Sequence, residues 1–347
     1  MSEPNPHLPA DKNQGEPKLW PLVVVVAFAA AAAGGLIGRG LAPSGSGTAT
    51  QSSVPGRPIV QIVRTPTFPS LAETIERTCP SIARIATADG KLATPAFAVS
   101  ADGWLVSAAP LSSSAQLQAV FGDGRKAAIT EVRSDPVSGL VIAHADVTGI
   151  PVLTFADQVF ARIGDFGFSL ESPNGSGCSA QVAMIGSDFL VDALAKGIYL
   201  RLQPQSSPPA PGSPYLAADG LVLGISTSAQ DNSILPAPMA ALIVNELIRN
   251  SISPIASFGF RAIDFTPELG ARIGGSRRGA GVALVEQGSS ASKAGLQAGD
   301  TIVSVDGSPV ASESELSRAL DAVTGSATTL QIDRGTQQLS ITLARST

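Results

Sequence analysis

A chain of 347 residues, 44% of them hydrophobic, can build about two domains with packed cores and is too apolar for a disordered tail. A formal net charge of −5, without any run of Lys and Arg, leaves no counterion-release term to favour nucleic acid, and two cysteines with two histidines exclude zinc-finger arrays and His-rich metal sites. The 35 glycines and 26 prolines exceed average usage without reaching low-complexity levels, which is the bias of a loop-rich, mainly β protein; with so few reactive side chains, neither metal nor cofactor is expected.

Residues 1–20 are polar and read as a cytoplasmic tail. From Leu22 to Gly38 run 17 uncharged residues, flanked by Lys18 and Trp20 before and Arg39 after, so residues 21–41 are expected to form a single transmembrane helix. A cleaved signal stays open, because Ala29 to Ala33 could hold a cleavage site. Lys12 and Lys18 balance Arg39 and Arg57, so charge does not orient the span; the much longer C-terminal side is read as exported. Residues 42–68 form a Ser/Gly/Thr/Pro linker. Cys79 and Cys178 both lie in the exported part and are either bridged or two buried thiols.

A folded unit over 69–253 begins with a capping box, Ser70 and Glu73, that predicts a helix from Leu71 to about Arg77, stopped by Pro80. Short apolar or alternating runs punctuated by Asp-Gly follow: PAFAVS, WLVSAA, LQAVF, RKAAITEV, YLRLQ and LVLGIS, the pattern of a barrel or sandwich. Met239, Leu242, Ile243 and Leu247 predict an amphipathic helix ending near Asn250. The last unit, 254–347, alternates strand-like runs with two short helices. The second helix is announced by Ser312 and Glu315 and carries Leu316, Leu320 and Val323 on one face.

The segment SSASKAGLQAGDTIVSVDGSPV (289–310) resembles the core of a PDZ domain of the bacterial HtrA type. With that anchor, CPSIARI (79–85), SADGWLVSAA (100–109), FGDGR (121–125), SDPVSGLVI (134–142), IGDFGFSL (163–170) and DGLVLGIS (219–226) are similar to framework stretches of the trypsin-like half of the HtrA, DegP and DegS proteases. The resemblance implies a trypsin-like double β-barrel followed by an α+β PDZ domain. It also implies a single pass of the bacterial inner membrane, with the large part in the periplasm. The family's catalytic histidine then falls at Pro110, its aspartate at Gly139 and its nucleophile at Pro211, with Pro209 at the second oxyanion donor; the count over 205–216 can shift by one or two residues. Proline has no N–H to donate, so the resemblance implies a degenerate site without catalytic residues. His7 precedes the span and His144 reads as a solvated strand residue. Ser207 and Ser213 read as loop serines, Asp135 and Asp165 as turn formers.

The PDZ part keeps what the resemblance requires for binding a peptide as an added strand. Ser257, Phe258, Gly259 and Phe260 stand at the carboxylate loop, and the strand Arg261 to Phe265, with Ile263, would offer the hydrogen-bonding edge. Leu316, Leu320 and Val323 either close the groove or are core. Three functions follow as expectations. The first is a membrane-anchored pseudoprotease that binds peptide C-termini or exposed segments of envelope proteins as adaptor, sensor or scaffold. The second is an active serine endopeptidase or the partner subunit of one, and the third a structural envelope component. The family also implies a homo-oligomer, a trimer, or a hetero-oligomer with an active homologue; Phe160, Phe166 and Phe168 are candidates for such contacts.

Overall fold

In the computed structural model, residues 70–345 are described except 88–92, 112–115, 157–161, 173–176, 193–196, 204–206, 229–231, 252 and 266–278, together with the side chains of 188–192. The expected tail, membrane segment 21–41 and linker lie outside the described residues. Among the described residues no helix is long and apolar enough to cross a membrane.

The first helix, α1 (Leu71–Thr78), starts where its capping box dictates: Glu73 N–H donates to Ser70 Oγ (3.2 Å) and Ser70 N–H to Glu73 Oε2 (2.9 Å). It ends in a 3₁₀ turn, Cys79–Ser81, that absorbs Pro80. Thr74 Oγ1 donates to the Ala218 carbonyl (2.9 Å) and Arg77 to that of Asp219 (2.6 Å), so α1 lies on a turn distant in sequence.

Six strands then close a first barrel: β1 (Ile82–Thr87), β2 (Ala93–Ala98), β3 (Trp104–Ser107), β4 (Leu117–Phe121), β5 (Lys126–Ser134) and β6 (Val141–Ala145), in the order β1-β2-β3-β6-β5-β4. Its interior is filled mainly by alanines, Ala83, Ala96, Ala98, Ala119, Ala127, Ala143 and Ala145, around Ile85, Leu105 and Phe121. Small side chains suit the narrow bore of a six-stranded barrel.

The second barrel takes β7 (Phe166–Glu171), β8 (Ser179–Asp192), β9 (Gly197–Leu202), β10 (Pro214–Leu216), β11 (Val222–Ser226) and β12 (Ser233–Pro236), in the order β12-β11-β10-β7-β8-β9. Pairing of β12 back to β9 closes it, which removes the open edges. Larger residues fill it, among them Phe168, Leu170, Ile185, Leu200, Tyr215 and Ile225. Tyr215 donates its hydroxyl to the Ala183 carbonyl (2.9 Å), and burial pushes the phenol well above its ordinary range. Helix α2 (Ala237–Arg249) packs Met239, Ala240, Ile243 and Val244 onto this core and stops at Asn250, whose φ of 53° is left-handed, at the expected place.

A third set of elements carries its own core: α3 (Pro254–Ser257), β13 (Phe260–Phe265), β14 (Gly279–Val285), α4 (Ser290–Lys293), β15 (Thr301–Val305), β16 (Ser308–Pro309), α5 (Glu313–Asp321), β17 (Ala327–Arg334) and β18 (Gln337–Ala344). Ser312 caps α5 by accepting the Glu315 N–H (3.2 Å); the Glu315 carboxylate reaches back one residue further than a capping box requires, to the Ala311 N–H (2.8 Å). Asp300, buried, holds Arg334 through two 2.7 Å bonds, which ties the entry of β15 to the end of β17. This module is not a separate body. Leu284 of β14 pairs with Gly197 of β9, so the second barrel's sheet continues into it, and Phe265, Ala283, Leu284 and Ala298 pack into the barrel core. The described residues form one compact unit.

Cys79 and Cys178 form a disulfide between the entry of the first barrel and the second, resolving the alternative that the sequence leaves open. A Cβ added at Gly122 would lie 2.8 Å from Cys79 Sγ and 3.0 Å from Cys178 Sγ, so only glycine fits beside the bridge. The bridge closes a loop across a sequence separation of 99 residues. Replacing both cysteines by serine is expected to lower the free energy of unfolding by about 2–4 kcal/mol. Urea titration of the two forms measures this, and equal midpoints would show that the bridge adds nothing.

Candidate functional site

The positions matched to a catalytic triad occupy three different settings. Pro110 is exposed just beyond β3. Gly139 sits in the β5–β6 turn with φ of 73°, its N–H bonded to the Asp135 carbonyl (2.9 Å). Pro211 lies in the turn that enters β10, against the ends of β2 and β3: Thr94 Oγ1 is 3.4 Å from its carbonyl, and Ser107 Oγ donates to the Pro95 carbonyl (2.8 Å). The next residue, Gly212, has φ of 95°, and a Cβ there would stand 2.7 Å from Ser107 Oγ, so the turn is pressed onto the first barrel without room for a side chain.

Backbone donors in this turn can be counted completely. Pro208, Pro209, Pro211 and Pro214 have none. Ala210 N–H is bonded to Glu171 Oε1 (2.9 Å), Gly212 N–H to the Ser226 carbonyl (2.8 Å) and Ser213 N–H to the Ala210 carbonyl (3.0 Å). From 208 to 214 every N–H is therefore missing or already bonded. An oxyanion hole needs the opposite, unengaged donors aimed at one point. Glu171, at the end of β7, is the residue that sequence reasoning missed; it also accepts the Ser213 hydroxyl (2.7 Å), which makes Ser213 a buried structural group, while Ser207 is exposed. Its signal in the sequence was a carboxylate ending an otherwise apolar strand, GFSLE.

His144, expected to be solvated, is half-buried on β6: its ring meets Trp104 edge-on at 4.9 Å and its Nδ1 is 3.0 Å from Thr130 Oγ1. Asp165 is the turn former expected, accepting the Arg162 N–H (2.7 Å). Asp135 shapes its turn through Ser138, whose N–H (2.9 Å) and hydroxyl (2.6 Å) it accepts, and does something further. Its other oxygen lies 2.6 Å from Arg261 Nη2.

Arg261 belongs to β13, where it was expected to serve a peptide-binding edge. Instead its side chain is 5% exposed and faces the barrels, paired with Asp135 and, through Nη1, with Glu246 of α2. Burial alone would lower its pKa; the two carboxylates outweigh that and raise it, so the cation is held firmly. Arg133 of β5 completes the junction by donating to the Leu247 (2.6 Å) and Ile248 (2.9 Å) carbonyls near the end of α2. Ile263, also assigned to the peptide edge, packs partly buried against the barrel core. β13 is covered on two faces, with Phe260 and Ala262 entering the module's core and Arg261, Ile263 and Phe265 turned to the barrels, so what the strand offers a peptide is its backbone edge rather than these side chains.

At the carboxylate loop, Phe258 and Phe260 are buried in the module's core rather than lining an open wall, and Ser257 is exposed, donating its hydroxyl to the Pro254 carbonyl (2.6 Å). Gly259 has φ of 81°, and a Cβ there would overlap Ser289, so glycine is required. The N–H groups of Phe258 and Gly259 close the turn on the Ile255 (3.1 Å) and Ala256 (2.9 Å) carbonyls. Leu316, Leu320 and Val323 are buried in the same core, which fills the packing role left open for them. The other edge of β13 has no strand partner among the described residues, and α5 lies beside it.

Two six-stranded antiparallel barrels, the second pressing the turn that enters β10 onto the first, and a glycine-loop module define a trypsin-fold chain carrying a PDZ domain. The PDZ domain family model matches residues 281–334. A probable periplasmic serine endoprotease, DegP-like, from Chlamydia muridarum is 27% identical over 239 residues, 65% of this chain and 48% of the relative. The periplasmic serine endoprotease DegP of Escherichia coli (strain K12) is 25% identical over 237 residues, 64% of this chain and 50% of the relative. This chain thus spans about half the length of the curated relatives it matches. Among solved structures, the HtrA-type protease AlgW with tripeptide matches with a TM-score of 0.50 and 22% identity, covering 80% of this chain and 96% of that one. The chain is thus similar to HtrA-type proteases over about two thirds of its length, with a trypsin-like fold and one PDZ domain.

Two measurements test this junction. Arg261→Met strips the buried Asp135 of its cation and is expected to destabilise by about 3–5 kcal/mol, and adding Asp135→Asn should cost much less than the sum of the singles. Additive losses in denaturant titration would refute the pairing. Glu313, at the start of α5, has its pKa raised by burial and then by Glu246 and Asp264, with Arg261 opposing. A carboxyl raised on folding binds its proton more tightly in the native state, so its charge weakens the fold as pH rises through that value. Glu313→Gln should therefore raise Tm at pH 7, with the gain vanishing below about pH 4, where the carboxyl is protonated folded or unfolded.

Proposed function

We propose that this chain is a non-hydrolytic HtrA-family protein. It is held to the bacterial inner membrane by residues 21–41, with 69–253 as a degenerate trypsin-like domain and 254–347 as a PDZ domain that binds C-termini or exposed segments of envelope proteins. The donor count from 208 to 214 carries this reading. With proline at both positions matched to oxyanion donors, and Ala210, Gly212 and Ser213 already bonded, a tetrahedral oxyanion would find no N–H, and no residue matched to the triad can relay a proton. The oxidised Cys79–Cys178 pair fits an oxidising compartment, as do the periplasmic names of the curated relatives. Phe166, 69% exposed on β7, supports a role in a homo-oligomer, a trimer on the family's pattern; Phe168 is core and drops out of that role, and Phe160 lies outside the described residues.

The purified chain should leave an unfolded protein substrate intact, with no release sensitive to a serine-directed covalent inhibitor. Inhibitor-sensitive cleavage that disappears in Ser213→Ala would overturn the reading. On the binding side, decapeptides with a free apolar C-terminus should bind saturably and their amidated versions at least tenfold more weakly, since the loop is matched to a carboxylate. Gly259→Val should abolish binding; equal affinity for both peptide forms would argue against terminal recognition.

A further inference from the structure

The edge of β13 that has no strand partner among the described residues does not stand open along its whole length. Asp264, four residues beyond Phe260, projects from the strand and accepts the Glu313 N–H at the first turn of α5 through a 2.6 Å bond. That bond spans the gap between β13 and α5 in which an added strand would have to run. Glu313 needs no help from Asp264 to start the helix, since Ser312 and Glu315 already supply the capping bonds of that turn.

We infer that Asp264 is a strap that closes the far end of the β13–α5 groove and must release Glu313 before an extended peptide longer than about four residues can seat. The inference rests on the peptide-binding reading and concerns the regulation of that same site. The direction of the chain sets the length. A carboxylate held at the Phe258–Phe260 loop forces the peptide to run antiparallel to β13, so that it extends back from its C-terminus at Phe260 toward Asp264. That distance is about 13 Å, at about 3.3 Å per residue. A tripeptide ends short of the bond, whereas a decapeptide crosses it. The contact is also electrostatically loaded, because Asp264 and Glu246 are both negative neighbours of Glu313, so breaking the strap relieves repulsion between Asp264 and Glu313 as well as costing a hydrogen bond.

The test uses the full chain and two probes, a tripeptide and a decapeptide with the same free apolar C-terminus, titrated by fluorescence anisotropy. Asp264→Ala removes the acceptor. Glu313→Pro removes the donor and places proline at the first helical position, where it is well tolerated. Both variants are expected to bind the decapeptide about three- to tenfold more tightly than wild type and the tripeptide with unchanged affinity. Glu313→Gln keeps the N–H and removes the charge, and should leave decapeptide affinity within about twofold. Unchanged decapeptide affinity in both strap variants overturns the strap while leaving peptide binding intact. A gain for Glu313→Gln equal to that for Glu313→Pro also overturns it, because charge alone would then explain the effect. Absence of binding by wild type and by both variants overturns the peptide-binding reading and the strap with it.

Discussion

A guanidinium withdrawn from water must be given carboxylates, and Arg261 receives both of its own from outside its module. Asp135 comes from the turn between β5 and β6 and Glu246 from α2, so one side chain of β13 fixes the PDZ domain against both the first barrel and the helix that closes the second. Buried pairs of this kind contribute little net stability compared with apolar packing, but they tolerate only one geometry. That explains why Ile263, Phe265 and Leu284 can pack onto the barrel core: their register is set by the charge they accompany. The continuous sheet through Gly197 and Leu284 has the same effect in backbone terms.

The turn from 208 to 214 shows a different economy. Four prolines remove donors, and Glu171 occupies the donor of Ala210 together with the hydroxyl of Ser213. The result is a stiff, satisfied segment where an acyl-transfer enzyme keeps unsatisfied, preorganised dipoles. Satisfying them stabilises the fold, because a buried N–H or hydroxyl left without a partner would cost more than the bond it makes here.

Local rules made most of the fold legible. Capping at Ser70, the left-handed end at Asn250, the Asp-Gly turns and the alternating runs each depend on a few neighbouring residues, and those elements stand where the sequence places them. Two-faced burial was what misled. A strand exposed on one side reads as alternation, but β13 is covered on both, so the Arg261 side chain is interior and that of Ile263 half-buried against the barrel core. Glu171 and Asp135 were opaque for the same reason: each acts on a residue tens of positions away, Ser213 and Arg261, and no local periodicity encodes such a partner. The cysteine pairing could be posed from the sequence but not decided there, since it depends on a distance that only the closed barrels define.

Cys79 follows directly on the first helix, and its bond to Cys178 bypasses the whole first barrel. Tension drawn on the chain ahead of Ser70 therefore enters the second barrel through a covalent link, while β1 to β6 form a closed side loop of that covalent path. From Cys178 the line of force continues along β8 and β9 into β14 by way of hydrogen-bonded ladders. Mechanically, the PDZ domain is reached from the N-terminal side through the second barrel, by the rung at Gly197 and Leu284 and by the chain through α2, with the Arg261–Asp135 pair as a non-covalent tie to the first.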